Sequence, residues 1–190
     1  KLARELNAYD NMFFEIQNEP WSDDPKKVMR TLPTLNPKPG QGDWFKWAET
    51  GSEASLEWQK AIAKVIVDTQ KGLPNQHLIA QNFTNFKYAV DAVDPNISIL
   101  NFHYAWPDAV RWNYHYNKVL GFDESGFAGS DDQVYRRQAW QFILSGGALF
   151  NNLDYSYFVG HEDGSGVNSA PGGGSKALRF QLKVLSEFIH

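Results

Sequence analysis

Five short apolar runs constrain this chain more than any other feature of its sequence. Each ends in polar or acidic residues, and longer amphipathic or loop stretches separate them. They span residues 12–16, 77–80, 97–104, 118–124 and 148–155. Runs of this length, rich in Val, Ile, Leu and Phe, predict buried strands. Trp58, Ile62, Val65 and Ile66 fall on one face at helical spacing. They predict a helix capped by Ser52 or Ser55, closed by Gly72 and Pro74, with Trp58 in the core. Ser130-Asp131-Asp132-Gln133 reads as a capping box opening a helix that ends at Gly146-Gly147, with Trp140 in the core. Ser175 caps a last helix with Leu178, Leu182, Leu185 and Ile189 on one face. Shorter helical pieces are expected over 1–8, over 87–93, and from Pro107 through Trp112.

Apolar strands alternating with amphipathic helices predict a parallel sheet of the α/β class. Two architectures fit. A doubly wound sheet expects a glycine-rich turn after a strand to hold a phosphate, and the chain has neither Gly-x-Gly-x-x-Gly nor a Walker loop. A (β/α)8 barrel expects polar residues at the C-terminal ends of several strands. The chain offers Asn18-Glu19, Gln81-Asn82, His103-Tyr104, Asp123-Glu124 and Asn152 with Asp154. The barrel is therefore the expected fold. Five units against eight make this only part of such a barrel. The helical Leu2-Ala3-Arg4-Glu5-Leu6 with no cap before it fits a start inside a structural element.

Composition removes several function classes. A net charge of −4 lacks the basic clustering of a nucleic-acid surface. The apolar runs are too short for a membrane span. With no Cys, disulfides, thiolate nucleophiles and Cys-ligated zinc are excluded. Aromatic residues make up 15% of the chain, and Trp and Tyr gather where a ring must face a ligand. Residues 21–51 show no sustained periodicity and hold Trp21, Trp44 and Trp47, so they read as an irregular functional loop.

Two glutamates, Glu19 and Glu124, sit where apolar strands give way to loops. Hydrolysis of a glycosidic bond needs two carboxyl groups flanking it, one to protonate the departing oxygen and one to act as nucleophile or base. Asn18 is placed to donate to a sugar hydroxyl, and His103 and Tyr104 to hydrogen-bond the Glu124 carboxylate. Each motif alone has a bland reading as a turn, cap or satisfied histidine; their joint placement at one end of successive strands gives them weight. Trp21 and Trp106 follow these segments and are candidates for stacking on a sugar. His161-Glu162-Asp163 lacks metal-ligand spacing and reads as a solvated loop. The glycines of 171–174 read as a flexible loop. No cofactor or metal is expected.

The segment Phe14-Glu15-Ile16-Gln17-Asn18-Glu19-Pro20 resembles the Phe/Tyr-Glu-Ile-x-Asn-Glu-Pro segment of clan A glycoside hydrolases, closest to the cellulase-like family 5. Gly121-Phe122-Asp123-Glu124-Ser125-Gly126 resembles the nucleophile segment of their seventh strand. Residues 146–155 resemble the eighth strand of cellulase-like and apiosidase-like relatives. The resemblance implies a retaining hydrolase of β-linked poly- or oligosaccharides, secreted or periplasmic. It also implies the C-terminal part of the barrel, strands four to eight, with the N-terminal strands missing from the chain. It implies Glu19 as acid/base, Glu124 as nucleophile, Asn18 as partner of the sugar 2-hydroxyl, and His103, Tyr104, Asp154 and Tyr155 as substrate contacts. Two departures are visible. The family has His-x-Tyr where His103 and Tyr104 are adjacent, so either a bulge re-aims one or Tyr104 alone points inward. The family's eighth-strand Trp is absent, leaving Tyr155, Tyr157 or a loop Trp to replace it. A carbohydrate-binding barrel without catalysis, or an inactive part of the enzyme, are the rival readings.

Overall fold

The computed structural model describes residues 1–20, 28–31, 47–50, 53–84, 90, 92–105, 107–125, 129–166 and 174–190, with strands 28–31 and 47–50 described by backbone alone. Helix α1 (Leu2–Glu5) precedes strand β1 (Phe14–Glu15). Strands β2 (Val28–Thr31) and β3 (Trp47–Thr50) pair antiparallel in a separate two-stranded sheet. Helix α2 (Glu53–Gln70) leads to β4 (Ile79–Thr84), and β5 (Ile99–His103) follows. Helix α3 (Ala109–Asn113) and a 3-10 turn (Tyr114–Tyr116) lead to β6 (Val119–Glu124). Helix α4 (Asp132–Leu144), β7 (Leu149–Phe150) and α5 (Lys176–Ile189) complete the chain.

The main sheet is parallel with strand order β1-β4-β5-β6-β7. Outside the β2–β3 hairpin, each strand lies beside the next in sequence, and the order never reverses. This makes the protein α/β with a five-stranded parallel sheet. Register puts Asn82 beside Asn101 and Asn101 beside Gly121. Because side chains alternate along a strand, this row and His103 share one face. The other face carries Ile79, Phe83, Leu100, Phe102, Leu120 and Phe122, which join Ala63 of α2, Val110 of α3 and Phe142 of α4 in one apolar core. The helices thus cover an oily face, and the polar residues line the face opposite.

Several sequence expectations change. Residues 21–51 are not wholly irregular, because β2 and β3 form a hairpin within them. Their short segments sit far apart in sequence, and no tight-turn signal flags the pairing. The first and last strands are shorter than their apolar runs, pairing over only two residues each. Helix α2 buries Gln59, Ala63 and Gln70, so its inner face is turned about one residue from the predicted stripe. Trp58 and Val65 are 50% and 59% exposed rather than core. Small Ala63 allows close approach to the sheet, and Gln59 is accommodated because Gln81 of β4 donates to its Oε1 at 3.1 Å. Helix α4 is capped by Asp131, which accepts from the Gln133 N–H at 3.0 Å, one position after the expected Ser130. Ser175 caps α5 as expected, accepting from the Leu178 N–H at 2.9 Å. Trp140 is half-buried against Phe188. The helix expected over 87–93 lies largely outside the described residues, and Val90, Ala92 and Val93 are not helical.

Candidate active site

The site is built at the C-terminal ends of β1, β5 and β6. After β1 the chain runs to Pro20, which is buried, and Glu19 takes a left-handed backbone with φ +44°. Its N–H donates to Asn82 Oδ1 at 3.0 Å, which fixes that unusual turn to β4. Tyr104, just past β5, has φ +51°, and Leu153, just past β7, has φ +58°. Left-handed backbone costs a residue with a Cβ about 1 kcal/mol or more. Such costs gather where surrounding structure fixes a functional geometry.

A bulge joins β5 to β6. Phe102 pairs with Phe122, but His103 pairs with Glu124, so Asp123 is the extra residue. On a regular strand Asp123 and Glu124 would face opposite sides. Here both reach His103. Asp123 Oδ1 lies 3.0 Å from His103 Nε2. Glu124 Oε2 lies 3.3 Å and Glu19 Oε1 3.1 Å from His103 Nδ1. The bulge, with the left-handed Tyr104, also resolves the adjacency of His103 and Tyr104. The Tyr104 hydroxyl donates to Glu124 Oε1, while its ring stands edge-on to His103 at 5.8 Å between centroids. Both neighbours in sequence therefore serve one site.

Below this tier Glu15 of β1 accepts from Asn101 Nδ2 at 2.5 Å. Ligand-type atoms of Glu15, His103 and Asp123 lie within 4.8 Å of one another, and so do those of Glu19, His103 and Glu124. His103 is thus wedged between two acidic pairs. Burial alone would push its pKa down, but the carboxylates of Asp123, Glu19 and Glu124 outweigh burial and raise it to about 9. Burial raises the Glu15 carboxyl above its ordinary value and the charge of Asp123 adds to this, against the lowering hydrogen bond from Asn101. Burial, then Glu124 and Glu19, raises the Tyr104 hydroxyl, so it remains a donor at any working pH. Sets of His and carboxylate atoms this close also suit a cation. His103, however, faces carboxylates with both ring nitrogens, and its raised pKa favours the imidazolium, a form with no lone pair to give a metal.

Glu19, Glu124, His103 and Tyr104 are brought together. Asn18 is solvent-exposed next to Glu19. Trp21 and Trp106 lie outside the described residues. Asp154 belongs to a different set: its Oδ1 accepts from the Ser156 N–H at 2.9 Å and its Oδ2 from Arg179 Nη1 at 2.9 Å, tying the loop after β7 to α5. Arg179 also donates to the Gly164 carbonyl at 2.8 Å and sits over the Tyr157 ring. Tyr155 is 42% exposed on this anchored loop. Sequence reasoning gave no role to Glu15 or Asn101, and offered Asn82 and Asp123 only as polar residues at strand ends. Register supplies the signal that places the two asparagines, since both are polar residues inside apolar strands. No protein-family model, curated protein or solved structure matches the chain.

Proposed function

We propose that this site hydrolyses a β-linked glycoside by a retaining double displacement, with Glu124 as nucleophile and Glu19 as acid/base. The observation that carries this reading is the closeness of the two carboxylates. Their oxygens lie within 4.8 Å of each other around His103. Retaining enzymes hold the two groups about 5–5.5 Å apart, whereas inverting ones leave about 6.5–9.5 Å for a water. In the first step a Glu124 oxygen bonds to the anomeric carbon, the glycosidic C–O bond breaks, and Glu19 gives its proton to the departing oxygen. In the second step Glu19 takes a proton from water, the water oxygen bonds to the anomeric carbon, and the ester to Glu124 breaks. Configuration at that carbon is inverted twice and so retained.

Two further features support the reading. The Tyr104 hydroxyl donates to the Glu124 carboxylate, which aims the nucleophile. The resemblance of residues 14–20 and 121–126 to clan A segments assigns the same two glutamates. Sequential strand order, helices against one face and polar residues on the other are what part of a (β/α)8 barrel would present, with the site at its C-terminal face. On this reading the partners are a poly- or oligosaccharide and the barrel's N-terminal part, and Asn18 and Tyr155 border the sugar.

The test is covalent trapping. Incubation with 2-deoxy-2-fluoro β-glycosides bearing a dinitrophenyl leaving group should add one glycosyl mass to the chain, on the peptide containing Glu124. Labelling elsewhere, or release of sugar with inverted configuration, would overturn the mechanism. Saturable sugar binding without labelling or turnover would favour a carbohydrate-binding protein.

A further inference from the structure

The site holds one more arrangement that the two-carboxylate mechanism does not use. His103 is 1% exposed, and both its ring nitrogens face carboxylate oxygens. A neutral imidazole has one donor and one acceptor nitrogen, and an ionised carboxylate only accepts. Satisfying Glu19 and Glu124 on one side and Asp123 on the other therefore requires protons on both nitrogens. We propose that Asp123 is a positioning residue that holds His103 as an imidazolium, whose Nδ1–H is shared between Glu19 and Glu124 and sets their spacing.

This inference rests on the hydrolase reading and extends it. Two acidic groups within 4.8 Å repel each other when both are charged. A cation placed between them offsets that repulsion, and its single N–H gives both carboxylates a common anchor. Glu15 completes the arrangement from below. The Asn101 amide orients it, and burial raises its pKa, which favours its neutral form beside the His103–Asp123 pair. Among the described residues, the titratable groups facing the ring are Glu15 and Glu19 from β1 and its extension, Tyr104 after β5, and Asp123 and Glu124 from β6. The bulge makes this possible, because it turns two consecutive acidic residues toward opposite edges of one ring.

The experiment is a pH titration of the histidine ring nitrogens by 15N NMR in the full chain. The His103 signals are those missing from His103→Gln. In the unaltered protein the ring should be doubly protonated at pH 7 and lose its proton near pH 9. In Asp123→Asn that midpoint should fall by about 1–3 pH units, the effect of removing one close opposite charge. Asp123→Glu should restore part of the fall. Activity gives the second readout. A dinitrophenyl β-glycoside departs without help from Glu19, so the alkaline limb of its kcat/KM profile should follow the His103 midpoint in each variant. A singly protonated ring at pH 7 in the unaltered protein would overturn the proposal whether or not Asp123→Asn folds. So would a midpoint unmoved in folded Asp123→Asn. If the ring titrates as expected and no glycoside is turned over, the hydrolase reading alone fails.

Discussion

Tyr104 and Glu124 are joined twice: the Tyr104 N–H donates to the Glu124 carbonyl at 2.8 Å, and the Tyr104 hydroxyl donates to the Glu124 carboxylate. The first bond belongs to the strand pairing and the second to the site. One residue thus fixes both the backbone and the side chain of the proposed nucleophile. Tyr104→Phe separates the two contributions, since it keeps the ring and the backbone bond. A hydrogen bond to a charged group contributes about 1.5–3 kcal/mol. Turnover of an aryl glycoside should fall by about 10–100-fold, while a thermal melt should move by only a few degrees.

Glu19→Gln removes the proposed acid/base but leaves the proposed nucleophile, Glu124, in place. Rates on a dinitrophenyl glycoside should fall little in the first, glycosylating step, and the second step should become limiting. Rates on a substrate with a poor leaving group should fall by about 10²–10⁴-fold, the usual contribution of general acid catalysis. Burst kinetics on the first substrate and steady-state rates on the second check this.

The raised pKa of His103 makes stability depend on pH with a definite sign. Its folded value of about 9 lies above the ordinary 6.5. The folded state therefore holds this proton more tightly than the unfolded chain does. The stabilisation is fully present below about pH 6.5 and is lost as pH rises through about 9. Thermal melts between pH 6 and 10 should show a falling Tm over this window in the unaltered protein. In His103→Gln the fall should be shallower.

Gly121 lies against Asn101, the residue that orients Glu15. A Cβ at this position would come within 2.7 Å of Asn101 Oδ1 and 3.1 Å of Leu149 Cδ2. Gly121→Ala should cost about 1–3 kcal/mol, as overpacking does in tight interiors. It should also displace the Asn101 amide from Glu15. A lowered Tm together with a changed His103 titration would register both effects.

Helix α2 offers a contrast between pattern and packing. Trp58→Ser should change stability by no more than about 1 kcal/mol, because the indole is half in solvent. Phe102→Ala, in the fully buried core, should cost about 3–5 kcal/mol. Urea unfolding of the two variants checks the order.

The strands of the main sheet, most helices and the end of the sheet that bears polar residues were legible in the sequence, because apolar runs and caps are local signals. Glu19 and Glu124 were legible for the same reason: each ends a run. The contact of Asp123 with His103 and the place of Glu15 were not. Strict alternation along β6 assigns Asp123 and Glu124 to opposite faces, and only the pairing of β5 with β6 reveals the bulge that brings both to His103. Glu15 lies inside an apolar run, and its neighbours Asn101 and Asp123 come from β5 and β6. The hairpin of β2 and β3 escaped notice because its pairing spans a long connection. The face of α2 was misplaced because Gln59 and Gln70 are buried through hydrogen bonds, which a hydrophobicity pattern does not count.

The left-handed turns at Glu19, Tyr104 and Leu153 carry a consequence for anyone who selects variants of this protein. Glycine adopts that backbone freely, so a screen that rewards heat resistance alone should drift toward Gly or Asn at these three positions. At Leu153 the drift would be harmless to the carboxylates. At Glu19 and Tyr104 it would erase the side chains that define the site. A library scored for stability and then for chemistry should therefore split: the same substitutions would rise in the first sorting and vanish in the second.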